Sequence, residues 1–405
     1  MVWDGKLDVL VIGGGMISQE VILPTVFQER RRGKIGRVLI SSLTGDILQQ
    51  VRGALPGEPF EPYPDPDKED PKKRFPDLFH KAIEDLDEKA IVIVATPDHL
   101  HTPMIVAALD AGYDVSCMKP LCLKVEEAHQ IAQKAEERAR YVLTDYHKRH
   151  DRAVRAARYK YRKGELGEML HGHAWIEEPK YMPLDKFKLW AEKSSPFEYV
   201  GTHYADVYHY VTGLMPKRVV AFGQKKFLPT VGSDAYDAIQ AVIEWENGSA
   251  FWIQTSWVCP DDNAKMTQQG MMFQGTKGEY KAEHADRNCY FVTDEGGFEH
   301  YNPNFMKPYD DWDTPGVKDW TGYGYESNSL GIRDKLKILA ACEGKSGDEA
   351  VAARKGLLKQ WSATGCRALP RQALIGVAIN EAVRLSVDSG AKFVTFDERF
   401  FPKLA

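Results

Sequence analysis

Lys119 stands directly after the short β-forming run Asp114-Val115-Ser116-Cys117-Met118 and directly before Pro120. A lysine at the carboxyl end of a parallel strand sits where open α/β sheets bind their ligands. Its ammonium can donate to a hydroxyl oxygen there and stabilise an alkoxide as negative charge develops. A surface lysine that merely precedes a proline is the plainer alternative. Pro120 fixes the backbone after it and helps aim the side chain. The matching proton needs an acceptor, and His203 has the right chemistry, because an unperturbed imidazole titrates at about 6.5. It falls on an expected helix over residues 197–213, with Tyr199 four positions before it and Asp206 three after, so the three can share a face. From these residues alone, a helix histidine satisfied by the core or by water is the favoured reading, and His209 on the same helix reads as structural. Lys148 and Arg149, in the run Tyr146-His147-Lys148-Arg149-His150, offer two cations for hydroxyls or a carboxylate; the bland reading is a charged hinge.

These side chains need a frame. Leu7–Ile12 is an apolar, β-rich run suited to a strand buried on both faces, and Gly13-Gly14-Gly15 follows it before a helix over 16–30. In a dinucleotide turn, Gly13 permits the tight bend and Gly15 lets backbone approach a diphosphate at the helix N-terminus. Ser18 takes the third, small position. Further buried strands are expected at 37–41 and 91–95 and near Val115 and Val142, with helices at 102–111 and 124–139. Strands alternating with helices give a doubly wound parallel sheet. The second strand ends Ser41-Ser42-Leu43-Thr44 without the acid that grips an NAD ribose, and without an arginine for a 2′-phosphate, so NAD and NADP both stay open. The Pro-rich stretch 56–71 reads as a surface loop.

The pattern changes near His150. A helix over 151–163 ends at Gly164, and long alternating strands follow at 168–177, 217–227, 236–246 and 249–258. Asn247-Gly248 and Gly275-Thr276-Lys277-Gly278 are hairpin signals. The expected fold is therefore an α/β Rossmann domain over residues 1–148 and an α+β domain over 149–405. The second domain carries a large, mostly antiparallel sheet, and a C-terminal helix at 371–388 packs back on the body. Residues 343–370 fit no element clearly.

Composition bounds the function. A net charge of −5 argues against nucleic acid, which needs a surplus of Lys and Arg on one face. The basic runs Arg30-Arg31-Arg32 and Lys72-Lys73-Arg74 read as solvated surface. The six cysteines form no CxxC pair or Cys/His ligand spacing, so no metal site is expected. No apolar run approaches the roughly 18 residues that span a bilayer. Trp3-Asp4 leads almost at once into the first strand, so no cleavable signal is expected and a reducing cytoplasm is the simplest setting.

Several motifs occur in order along the chain: Ala95-Thr96-Pro97-Asp98-His99-Leu100-His101, Met118-Lys119-Pro120, Gly164-Glu165-Leu166-Gly167, Gly201-Thr202-His203-Tyr204-Ala205-Asp206 and Gly322-Tyr323-Gly324-Tyr325-Glu326. Together they resemble the Gfo/Idh/MocA oxidoreductase family. The resemblance implies hydride transfer between a carbohydrate or cyclitol hydroxyl and a nicotinamide, with NAD or NADP as cofactor. It implies cofactor contacts from Gly13, Gly15, Met16, Ile17, Ser41, Ser42, Thr96, Pro97, Asp98, His101, Lys119 and Pro120. It implies catalysis by Lys119 and His203, with Tyr199 beside them, and substrate contacts from Lys119, Lys148, Arg149, Tyr199 and His203. It also implies a homo-oligomer formed through the C-terminal sheet. Two positions depart from the pattern: Met118 stands where the family has Glu, and Tyr199 where it has Asp. They keep open a redox-neutral enzyme that oxidises a sugar transiently while cleaving a glycosidic bond, and a non-catalytic cofactor-binding sensor.

Overall fold

The computed structural model describes residues 5–262 and 265–405; Trp3 and Asp4 lie outside the described residues. Its first unit comprises residues 1–121, 129–147 and 306–371, and its second 122–128, 148–305 and 372–405.

The first unit begins with β1 (Leu7–Ile12), a π-turn at Ser18–Ile22, α1 (Leu23–Arg31), β2 (Ile35–Ser41), α2 (Gly45–Ala54), β3 (Glu61–Tyr63), α3 (Leu78–Glu84), β4 (Ala90–Val94), α4 (His101–Asp110) and β5 (Asp114–Met118). After α5 (Val125–Glu137) comes β6 (Val142–Asp145). The six strands form one parallel sheet in the order β3-β2-β1-β4-β5-β6. Every residue of β1 and β4 is buried, as continuous apolar strands covered on both faces must be. The stretch expected to be all loop holds one strand: β3 pairs with β2 from Leu39↔Glu61 to Ser41↔Tyr63.

The second unit holds α6 (Arg152–Arg162), β7 (Met169–Pro179), a π-turn at Phe197–Gly201, α7 (Thr202–Thr212), β8 (Pro216–Gln224), β9 (Ala238–Trp245), β10 (Ala250–Cys259), β11 (Gln268–Gly275) and β12 (Glu279–Glu283). A small hairpin of β13 (Tyr290–Thr293) and β14 (Gly297–His300) follows. Asp151 caps α6 by accepting the Ala153 N–H at 2.9 Å. The β9–β10 turn at Asn247-Gly248 is as expected, with Gly248 at φ +83°.

The chain then contributes β15 (Lys307–Asp310), β16 (Lys318–Thr321), α8 (Tyr323–Cys342) and α9 (Gly347–Thr364) to the first unit. The stretch 343–370 that fitted no element is thus largely helix. α10 (Pro370–Asp388), β17 (Val394–Phe396) and β18 (Pro402–Leu404) complete the eight-stranded sheet of the second unit, in the order β12-β11-β7-β10-β9-β8-β17-β18. It is mixed rather than purely antiparallel, because β7 and β10 run parallel.

A simple division at residue 148 is therefore corrected. The chain does change unit between His147 and Lys148, but residues 306–371 return to the first. The cause is apolar: Ile332 and Leu336 of α8 join the core made by Val9, Val11, Ile91 and Ile93. Gly331 lies so close to β5 that a Cβ there would stand 3.2 Å from that of Ser116. Among the described residues no helix is long and apolar enough to cross a membrane, and no cluster of His, Cys, Asp and Glu could hold a metal.

Candidate active site

The glycine turn after β1 is built by close approach. Gly13 has φ +111°, and a Cβ on it would lie 2.4 Å from the Ala95 carbonyl oxygen at the end of β4. Its N–H donates to the Ser41 carbonyl at 2.8 Å, tying the turn to the end of β2. Ser18 donates its hydroxyl back to the Gly13 carbonyl at 2.5 Å, and Gln19 donates its amide to the Gly14 carbonyl at 2.8 Å. With side chains spent on the turn itself, Gly15 faces open space: nothing lies within 4 Å of a Cβ built there. Met16 and Ile17 open the helix beside it. An open glycine before a helix N-terminus fits a dinucleotide diphosphate, so these residues suit the cofactor expected of them. Ser41 and Ser42 sit buried at the tip of β2.

The ends of β4 and β5 are braced together. His101 is 1 % exposed, with Nδ1 2.8 Å from the Pro120 carbonyl oxygen and Nε2 2.9 Å from that of Thr96. Burial pushes its pKa down, which favours the neutral ring, and a neutral ring has one N–H to donate. Its ring lies between two main-chain carbonyls at the strand ends, one of which accepts its N–H. Asp98 turns its carboxylate onto the His99 N–H at 2.9 Å. Lys119, half-buried, follows β5 directly.

Sequence reasoning missed the group beside that lysine. Asp145, the last residue of β6, lies opposite Met118 in the parallel register and is 4 % exposed. Burial pushes its pKa up to about 7. Hydrogen bonds from Ser327 and Asn328 at the start of α8, and the charge of Lys119, favour the ionised form but do not outweigh burial. The only available signal was its place at a strand end, since its partners lie far along the chain.

In the second unit, His203 sits in the first turn of α7 and is 3 % exposed. Tyr199 belongs to the preceding π-turn, half-buried, with its ring 4.6 Å from that of Phe187 and 5.1 Å from that of Trp190. Gly201, at the end of the same turn, packs against Phe197 and Thr255: a Cβ there would lie 2.9 Å from side-chain atoms of both. His209 is structural, its Nδ1 2.8 Å from the Leu214 carbonyl oxygen.

Arg149 departs from expectation. Its Nε and Nη2 form a bidentate pair with Asp206 at 2.8 and 2.6 Å, and its Nη1 donates to Gln372 at 3.1 Å. At 4 % exposure this guanidinium ties α7 to the chain before α6, and the assignment of Arg149 as a substrate contact is corrected. Both carboxylate oxygens of Asp206 accept from that guanidinium. Lys148 is buried too, donating to Gln269 Oε1, with its Nζ 5.0 Å from the centre of the Tyr204 ring. Beside it, His284 lies between the hydroxyls of Tyr204 at 3.0 Å and Tyr280 at 2.9 Å. Burial, reinforced by the charges of Lys148 and Arg287, holds this imidazole well below its ordinary pKa. Gln269, Tyr280 and His284 come from strands and turns with no motif to single them out.

Comparison with known proteins agrees with this architecture. Residues 7–146 match the oxidoreductase family with an NAD-binding Rossmann fold, and residues 154–281 match the GFO/IDH/MocA C-terminal domain. A 2,7-anhydro-N-acetylneuraminate hydratase of Mediterraneibacter gnavus is 28 % identical over 215 residues, 48 % of this chain, and the match spans about half, 51 %, of the hydratase. A levoglucosan dehydrogenase of Pseudarthrobacter phenanthrenivorans is 23 % identical over 62 % of this chain and 71 % of its own length. The crystal structure of an inositol dehydrogenase homologue from Azotobacter vinelandii, complexed with NADH and myo-inositol, superposes with a TM-score of 0.68 at 20 % identity, covering 97 % of this chain and 98 % of that one. The two family matches cover, in order, the sheet that carries the glycine turn and Lys119 and most of the region that carries His203, and the chain belongs to the GFO/IDH/MocA oxidoreductase family.

Proposed function

We propose that the protein is an NAD-dependent oxidoreductase acting on a hydroxyl of a carbohydrate or cyclitol. The observation that carries this reading is a lysine at the carboxyl end of β5, in the same unit as a glycine turn whose third glycine faces open space. The nicotinamide, when bound, supplies the hydride acceptor or donor. Lys119 donates a hydrogen bond to the reacting oxygen and stabilises the charge that develops there. His203 takes the hydroxyl proton in the oxidative direction and returns it in the reductive one. Tyr199 stands four residues from His203 as a hydrogen-bonding group in place of a carboxylate, and Lys148 is a further donor to substrate hydroxyls. Lys119→Ala should lower turnover by about a hundredfold or more, the scale of losing a charge-stabilising donor, while NADH fluorescence titration shows cofactor binding retained. Turnover like the wild type would remove Lys119 from the mechanism. NAD and NADP compared side by side test the acid-free tip of β2.

A redox-neutral course is the second reading. It is favoured by the hydratase relative and by Met118 and Tyr199. In that case product accumulates from anhydro-sugar or glycoside substrates with no net change in nicotinamide absorbance, whereas a dehydrogenase gives a stoichiometric change. We further propose self-association through the outer face of the eight-stranded sheet, where Leu170, Phe222 and Trp252 are exposed; light scattering on the purified protein tests it. Six cysteines, all free thiols, support a reducing compartment.

A further inference from the structure

Three regions were candidates for an unassigned role: the exposed aromatic hairpin β13–β14, the buried His284 between two phenols, and the carboxyl end of β5 and β6. The last joins a titratable group to Lys119, the residue with the charge-stabilising task.

We propose that Asp145 is the carboxylate partner of Lys119, a positioning residue that holds the ammonium at the strand end and supplies the negative charge that Met118 does not. The inference deepens the role given to Lys119 above and rests on it. Its basis is placement. Parallel pairing sets Met118 opposite Asp145, so the residue after Met118 leaves the sheet beside this carboxyl group. Asp145 is 4 % exposed, so its charge is poorly screened by water, and among the described residues Lys119 is the charged group that acts on it. The remaining neighbours are neutral: the Ser327 hydroxyl and the Asn328 amide, both from the first turns of α8. The amide of Asn328 also donates to the Gly324 carbonyl at 3.1 Å, and with two N–H groups it can serve both acceptors. The Ser327 hydroxyl, which favours the ionised carboxylate more than Asn328 does, has a single proton and also lies 3.2 Å from that same carbonyl.

Such a pair behaves differently from a permanent ion pair. Attraction between the two charges lowers the pKa of Asp145 and raises that of Lys119 by the same free energy. With burial set against Lys119 and the two hydrogen bonds, Asp145 lies at about 7, so the carboxyl changes charge near neutrality. Below that point Lys119 faces a neutral acid; above it, a carboxylate orients and partly balances the ammonium. Asp145 acts through Lys119 and does not itself touch the reacting carbon.

The test uses the whole protein with its lysines reductively ¹³C-methylated, the Lys119 signal being assigned by its loss in Lys119→Arg. In the wild type this signal should shift with an inflection near pH 7, well below its own deprotonation. In Asp145→Asn the inflection should vanish. Asn328→Ala, which keeps the carboxyl but removes a donor to its ionised form, should move the inflection to higher pH. It serves equally if Asp145→Asn does not fold. Absence of the inflection in the wild type, or its persistence in folded Asp145→Asn, overturns the proposal. Because the readout needs no turnover, an intact pair in a protein where Lys119→Ala remains active would sink the mechanism and leave the pairing standing. Kinetics complete the test: Asp145→Asn should lower kcat about tenfold while leaving the dissociation constant of NADH unchanged.

Discussion

Asp114 and Asp145 are two buried acids on neighbouring strands of one parallel sheet, the first opening β5 and the second closing β6. Burial raises the pKa of both, yet their net shifts have opposite signs. Asp114 accepts from Lys335 at 2.8 Å, from Arg354, and from the Tyr141 N–H at 2.8 Å, and these partners hold its carboxyl well below the usual range. Asp145 has two neutral donors and one cation, and burial wins. Both sets of partners involve α8: Ser327 and Asn328 serve the carboxyl end of the sheet, and Lys335 the amino end. Eight residues of helix, from 327 to 335, span ~12 Å, close to the length of a five-residue strand, so one helix reaches both ends. The amino end is stapled by full charges. The carboxyl end, where an open α/β sheet binds its ligands, holds a group balanced between two charge states.

The comparison can be broken by mutation. The largest stability effect is expected for Asp114→Asn, which leaves Lys335 and Arg354 without their counter-charge. The loss should be about 3–5 kcal/mol, the scale of breaking a buried pair by removing one partner, and chemical denaturation measures it. Unchanged stability would mean that the cluster is not a staple.

The pH dependence should separate the two acids in sign. The folded-state pKa of Asp145 is raised, so the native state keeps a proton that the unfolded chain releases above about 4. Stability therefore falls as pH rises from there to about 7, and is flat beyond. Asp145→Asn removes that slope and should gain on the wild type by on the order of 4 kcal/mol across the window. Asp114, with its pKa lowered, stabilises at all pH above the unfolded value, and its contribution is lost only as pH falls below about 4. Unfolding curves of Asp145→Asn and wild type that stay parallel from pH 4 to 8 would end the contrast.

A smaller effect is expected at Arg149. If its guanidinium is a tie between elements, Arg149→Lys, which loses the bidentate geometry with Asp206, should cost ~1–3 kcal/mol in stability and leave KM for the sugar unchanged. A raised KM without loss of stability would restore it as a substrate contact. The smallest is Gly331→Ala. Helix propensity gains up to ~1 kcal/mol, and the 3.2 Å approach to Ser116 opposes it. A net change below about 1 kcal/mol is expected, and any larger loss would show how tightly α8 is set on β5.

Reading the residues in order recovered much of this. The six-stranded parallel sheet apart from β3, the glycine turn, Lys119 at a strand end and the hairpin at Asn247-Gly248 all follow from local pattern, because each is dictated by neighbours close in sequence. What was hidden depends on distant partners. Arg149 looked like an available cation, since nothing near it in the chain announces Asp206 or Gln372. The two carbonyl neighbours of His101 were hidden, since they lie on different strand ends. Asp145 drew no notice, because its meaning comes from Lys119 on the next strand and from a helix whose first turn lies about 180 residues later. The interleaving of the units was hidden for the same reason: α8 has weak amphipathic periodicity, so its docking face is set by which sheet accepts it.

That interleaving has a consequence for how the chain is made. The polypeptide writes the first unit in instalments, and the last, residues 306–371, leaves the ribosome only after nearly all of the second unit. Until α8 arrives, the sheet lacks Ile332 and Leu336 on one side, and Asp114 lacks both of its cations. A nascent chain stopped after His147 would thus carry every strand of the nucleotide fold and still be short of native, with Asp114 buried and without its counter-charges.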